Sequence, residues 1–268
     1  MTRLRLRRTL GRVSLSLCAC LALGAAALAG SSQGAPQVSV KAKIVPIPVN
    51  PNSPKKTFPK TGNILGAPAA LETETKIIGN EYFGGPSPII NVTAYLPSGV
   101  TLSPKAFTTC SQQILESHEV QKCPKHSIAS PVGEVTGMVS FGSTRVFERA
   151  TVQAFFAPGN RLAFYAEGRE PALIEVLTSG GFSTASKPFG QKLSVAVPLV
   201  PTVPEAPYAS EMSIKIKVGA AYMKGKRLIS YGKVPSKCPR GGFTGKLELK
   251  FLSGESTTNL VKVPCPKR

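Results

Sequence analysis

The chain has 268 residues, 33 Lys and Arg against 14 acidic residues, and a formal net charge of +19. All of the acids are Glu, and neither Asp nor Trp occurs. Zero Asp excludes Asp-based calcium loops, an aspartic dyad and an Asp-assisted triad, and the length suits one large β domain or two small ones.

The N-terminus reads as an export signal. Arg3, Arg5, Arg7, Arg8 and Arg12 form a basic region without acids, and an apolar run from Val13 to Ala29 follows. The run ends in Ala27-Leu28-Ala29, the small-x-small pattern of a cleavage site. It sits at the short limit for a membrane span, and no second apolar run of spanning length follows. Residues 1–29 are therefore expected to be a signal peptide cleaved after Ala29, whether by the general or the twin-arginine route. Cys18 and Cys20 lie inside the apolar run, which continues past them, unlike a lipoprotein box. The expected location is secreted or extracytoplasmic, in association with the cell envelope.

Residues 30–71 carry Pro46, Pro48, Pro51, Pro54 and Pro59 and few aromatic residues, which predicts a linker. Val38 to Val45 alternates apolar and polar residues as one strand would. From residue 72 to 268 the pattern is short strands broken by Gly and Pro. Ile90, Val92, Ala94 and Leu96 alternate with polar neighbours. So do Ile214, Ile216 and Val218, and then Leu247, Leu249 and Phe251. Period two with one apolar face marks half-buried strands. Turns are expected at Gly142-Ser143, Pro158-Gly159-Asn160, Ser179-Gly180-Gly181 and Lys224-Gly225. The fold class is all-β, a two-layer antiparallel sandwich of about ten strands.

One short helix is predicted over Ser111–Ser117, capped by Thr109 or Ser111. It lies between Cys110 and Cys123, so a disulfide would pin it, and short helices need such support. After signal cleavage four cysteines remain: Cys110, Cys123, Cys238 and Cys265. An even count in an exported chain reads as disulfides, with three pairings open. Nearest neighbours, Cys110–Cys123 and Cys238–Cys265, are the simplest. His118 and His126 flank Cys123, but the spacing fits no common zinc pattern, so no metal and no cofactor is expected. Further on, Pro198, Pro201, Pro204 and Pro207 fall at the polyproline II period, which suits a stiff crossover better than a docking strip.

Catalytic signals are weak. There is no Gly-x-Ser-x-Gly, no His-Glu-x-x-His and no phosphate loop. Glu134, Glu148, Glu167 and Glu175 lie on predicted strands, where a pair could serve glycoside hydrolysis only if the fold gathered two in one cleft. His118 and His126 are the sole candidates for an imidazole base. Phe155-Phe156 and Phe164-Tyr165 read as a cross-strand core cluster.

The positive charge is concentrated at the end: from Glu211 to Arg268 there are thirteen Lys and Arg against three Glu. Lys215 and Lys217 must point away from the face of Ile214 and Ile216. With Lys224, Lys226 and Arg227 they are expected to form an anion-binding face toward envelope polymers or lipid head groups. No dedicated nucleic-acid role is expected of an exported chain.

Four stretches carry a family likeness: Tyr95-Leu96-Pro97-Ser98-Gly99-Val100, Phe107-Thr108-Thr109-Cys110-Ser111, Lys122-Cys123-Pro124-Lys125-His126-Ser127, and Lys237-Cys238-Pro239-Arg240-Gly241-Gly242-Phe243. In these the chain resembles a set of exported bacterial β-rich, disulfide-bearing proteins of unassigned function. The resemblance implies a secreted β domain and brings no catalytic residue. The expected function is a non-catalytic binding or scaffold role at the envelope. The alternatives are a secreted hydrolase using Glu or His, and a carrier of a small apolar ligand. A concave pocket gathering two Glu would favour the hydrolase, and a large apolar cavity the carrier.

Overall fold

A computed structural model describes residues 34–52, 55–59, 64–142 and 144–265. The expected signal peptide, its cleavage site, Cys18 and Cys20 lie outside these residues.

The alternating segments form strands throughout. In chain order they are β1 (Gln37–Pro48), β2 (Thr57–Phe58), β3 (Ala69–Ile78), β4 (Ile89–Pro97), β5 (Thr101–Leu102), β6 (Gly133–Phe141), β7 (Thr144–Ala157) and β8 (Arg161–Glu170). They continue as β9 (Ile174–Thr184), β10 (Phe189–Ala196), β11 (Ser210–Val218), β12 (Ala221–Lys224), β13 (Arg227–Ser230), β14 (Gly232–Lys233), β15 (Phe243–Phe251) and β16 (Ser256–Val263). The chain is all-β, as its periodicity requires. Twelve strands form one antiparallel sheet in the order β16-β15-β4-β10-β9-β8-β7-β6-β11-β3-β1-β2. The strands expected to divide into two layers are thus continuous in a single hydrogen-bonded sheet. β12 with β13, and β5 with β14, make two small separate ladders.

That large sheet curls. Val40, Ala42 and Ile44 of β1 pack in one cluster with Phe243 of β15 and Val261 and Val263 of β16. The two ends of the sheet meet through these side chains, and no ladder joins β1 to β16 among the described residues. Sheets twist with one hand, and a long antiparallel sheet relieves that twist by curling on itself. The strand expected at Val38–Val45 is β1, and it is a full member of the sheet, paired over ten residues with β3. Its alternation is carried by the curl: Val38, Val40 and Ala42 turn inward, whereas Ser39, Lys41 and Lys43 are exposed.

The turns follow their sequence chemistry at three of four places. Gly159 and Asn160 take positive φ between β7 and β8, as a tight hairpin demands, and Gly225 does so between β12 and β13. Gly142 lies between β6 and β7. The fourth is a correction. Ser179-Gly180-Gly181 is not a turn but the interior of β9. A Cβ on Gly180 would stand 2.5 Å from the carbonyl oxygen of Ser194 on the neighbouring strand, so the glycine permits a close backbone approach within a strand.

The predicted helix is α1 (Gln112–Glu116), capped by Ser111, whose hydroxyl accepts from the Ile114 N–H at 3.3 Å. Both disulfides join nearest neighbours, Cys110–Cys123 and Cys238–Cys265, with Cα separations of 5.1 and 6.0 Å. The first pins α1 to the outside of the sheet, where Leu115 packs with Cys110, Phe155 and Tyr165. The aromatic run on β7 and β8 therefore splits between faces. Phe155 and Tyr165 lie under the helix, whereas Phe156 and Phe164 belong to the inner cluster with Phe107 and Tyr231.

Candidate functional site

Every long strand sends one row of side chains to the inside of the curl. Small and branched residues dominate that row: Val40 and Ala42 on β1, Val92 and Ala94 on β4, Ala150 and Val152 on β7, Ala166 on β8, Val176 on β9, Val195 on β10, Ile214 and Ile216 on β11. Their summed volume falls short of the space a twelve-stranded curl encloses. The result is an internal cavity of about 430 Å³ whose walls are almost wholly apolar. Small barrels fill their interiors, and wider ones leave room for a ligand.

The two ends of the cavity differ. At one end lie β5, β14 and the Phe107–Phe156–Tyr231 cluster, with Phe156 and Tyr231 rings 4.7 Å apart. Burial pushes the Tyr231 hydroxyl well above the usual phenol range. At the other end the proline-spaced segment between β10 and β11 crosses the opening, because those strands are five places apart in the sheet. Val200 and Ala209 of this strap border the cavity. The strap is tied down at two points. The Ser140 N–H donates to the Thr202 hydroxyl at 3.1 Å, and the Tyr208 N–H donates to the Tyr82 hydroxyl at 3.1 Å. Arg145, on the outer face, fastens the same corner by donating to the Tyr82 carbonyl and to the Ser210 hydroxyl, both at 2.6 Å.

Two carboxyl groups border the cavity at the strapped end: Glu148 of β7 and Glu211 of β11. Both are cross-strand neighbours of Gly137 on β6, one on each side. A Cβ on Gly137 would stand 2.6 Å from the Ser210 carbonyl oxygen, so the glycine lets β11 approach closely there. Glu148 is only 4% exposed. Its Oε2 accepts from the Ala172 N–H at 3.1 Å, and its Oε1 is buried without a partner. Leaving such an atom unpaired costs about 1–3 kcal/mol. Glu211 Oε2 accepts from the Ile89 N–H at 3.2 Å. Burial pushes the Glu211 carboxyl above the usual carboxylate range, and the Ile89 bond offsets only part of that. Glu211 is half-buried and borders the cavity.

The sequence-predicted sites are distributed as follows. Of the four Glu considered for hydrolysis, only Glu148 faces the cavity. Glu167 and Glu175 are paired neighbours across β8 and β9 on the outer face, where Glu175 accepts from the Tyr165 hydroxyl at 2.9 Å and meets His118 Nδ1 at 3.2 Å. Glu134 is exposed on β6 beside Lys215. His126 stacks on Tyr222 with ring centroids 4.0 Å apart, and burial together with Lys125 holds its imidazole below the usual range. Among the described residues no group of His, Cys and Glu is arranged to hold a metal. Glu211 was missed in sequence because it stands at a bulge before β11 settles into alternation, the register shifting between Glu211 and Ser213.

The five basic residues lie on two separate ladders. Lys215 and Lys217 project from the outer face of β11, and Lys224, Lys226 and Arg227 form the tip of the β12–β13 hairpin. Lys215 is flanked in register by Glu74 and Glu134, and Lys217 by Glu72, which it meets at 3.4 Å. Glu72 also pairs with Lys43 at 2.8 Å. Partial burial pushes the Glu72 carboxyl up, and the two ammonium groups outweigh it, so the net displacement is downward.

The chain matches no family model, no curated protein and no solved structure. The cavity and its two carboxyl groups are thus the features on which a functional reading rests. No helix among the described residues is long and apolar enough to cross a membrane. The two disulfides fit a compartment outside the cytoplasm.

Proposed function

We propose that this is an exported, non-catalytic binding protein that carries a small apolar molecule inside its curled sheet. The observation that supports this reading is the 430 Å³ cavity walled by inward residues of eleven of the twelve strands of the main sheet. Ligand pockets fall in this size range, with predominantly apolar walls and a few placed polar groups. A protein built only as a scaffold gains stability by filling such a space, since each missing contact in a core weakens it. The outer face of β1, β3 and β11 carries alternating Lys and Glu, which suits a container that keeps an apolar molecule away from water.

The expected test uses Nile red, a neutral apolar dye whose emission brightens on leaving water. The oxidised protein should bind it with one saturable site. Ala94→Phe and Ala166→Phe, which fill the cavity from strands three places apart in the sheet, should each weaken binding at least tenfold while the thermal midpoint holds or rises. Dye binding that both variants leave intact would place the dye elsewhere and end the carrier reading.

A further inference from the structure

We propose that the cavity selects an apolar chain that ends in a cationic, hydrogen-bond-donating head, a primary amine, and that this head lodges between Glu148 and Glu211 beneath the strap. The inference rests on the carrier reading above. It names the class of molecule carried.

Among the described residues the acids lining the cavity are these two alone, and both sit at one end. Glu148 Oε1 is an acceptor with no donor, in a residue 4% exposed that borders the empty space. An ordinary structural carboxylate would have been supplied with a second donor by the fold, as buried polar atoms almost always are. Here the fold supplies the Ala172 N–H to Glu148 and the backbone N–H groups of Ile89 and Glu211 to Glu211, and it leaves Glu148 Oε1 without a donor. Gly137 separates the two acids in the ladder, and Gly168 makes room for the Glu148 carboxyl, since a Cβ there would stand 2.5 Å from Oε1. An ammonium group brings three donors and no acceptor, the complement of two acceptor-rich carboxylates. An anionic head would meet like charge in a poorly screened site and be rejected.

The cations that border the cavity do not compete at this end. Lys246 is drawn over the Tyr95 ring and pairs with Glu248 at 2.6 Å, and Lys233 is exposed on β14 beside the opposite opening. A tail extending from the two acids would run along Val92, Ala150 and Ile214 toward the aromatic end. The net charge of the whole chain is positive, so surface attraction would favour an anionic amphiphile. A preference for an amine would therefore have to come from the interior.

The experiment displaces Nile red from the oxidised protein with three probes that share a ten-carbon chain: decylamine, decanoate and methyl decanoate. Decylamine should displace the dye at a concentration at least tenfold below either of the others. Glu148→Gln and, separately, Glu211→Gln should each shrink that preference to threefold or less. Equal displacement by all three probes, tighter binding of decanoate, or a preference that survives both substitutions would overturn the amine assignment and leave the carrier standing. Failure of the dye and of all three probes to bind would overturn the carrier reading together with it.

Discussion

The inner and outer faces of the same sheet treat glutamate in opposite ways. Outside, Glu72 stands between Lys43 and Lys217, and Glu74 between Lys41 and Lys215, so each carboxylate has cations on both sides in the ladder. Inside, Glu148 and Glu211 flank a glycine, and both are met by backbone N–H groups alone, with no cation beside them in the ladder. The outer acids are satisfied within the fold, whereas inside Glu148 Oε1 is left without a donor. A polar group that the fold leaves incomplete in an enclosed space is a mark of use, because its completion must come from something that enters.

The largest effect that distinguishes the faces is in packing. Phe156→Ala should destabilise the protein by about 3–5 kcal/mol, since its ring is buried among Phe107, Tyr231 and Leu162 and the site cannot collapse around the loss. Phe147 is on the same strand and 68% exposed, so Phe147→Ala should stay within about 0.5 kcal/mol. Urea unfolding of the two variants measures the difference. Equal losses would mean that β7 does not present one face inward and the other outward.

Next comes the pH dependence of Glu211→Gln. Burial raises the folded-state pKa of Glu211 above its ordinary value of 4.5, so the folded protein holds that proton more tightly than the unfolded chain. The wild type then loses stability as pH rises through 4.5 toward the raised pKa, and Gln, which keeps the acceptor for the Ile89 N–H, does not. The variant should match the wild type at pH 4 and exceed it at pH 7. Unfolding midpoints across that range that stay parallel would show that Glu211 is solvated.

The smallest effect belongs to the outer ladder. Glu72→Gln removes the shared partner of Lys43 and Lys217, and surface pairs contribute little even when one partner is half-buried. The loss should be slight at low salt and vanish in 1 M NaCl, where the screening length falls to about 3 Å. A loss that persists at high salt would mean that Glu72 acts through packing instead of charge.

Much of this was legible in local sequence. Alternation at Val38–Val45, at Ile214–Val218 and at Leu247–Phe251 marked strands and told which residues share a face. Ser111 followed by a short polar-apolar run marked the capped helix, and the spacing of the cysteines favoured the two pairings found. Periodicity failed at Ser179-Gly180-Gly181, where glycine serves a close strand approach and not a turn. It failed also at Glu211, where a bulge breaks the alternation.

The sequence by itself determined the strand content, the chemistry of most turns and the assignment of Lys215 and Lys217 to an outer face, because each depends on residues within a few positions of one another. Only the tertiary structure decided that twelve of these strands form one continuous sheet, that β1 closes against β16, and that the interior is left open. Those outcomes depend on which distant strands pair and on the summed volume of eleven inward rows. The same holds for the two glutamates. Glu148 and Glu211 are 63 positions apart in the chain, and only the pairing of β7, β6 and β11 sets them on either side of Gly137.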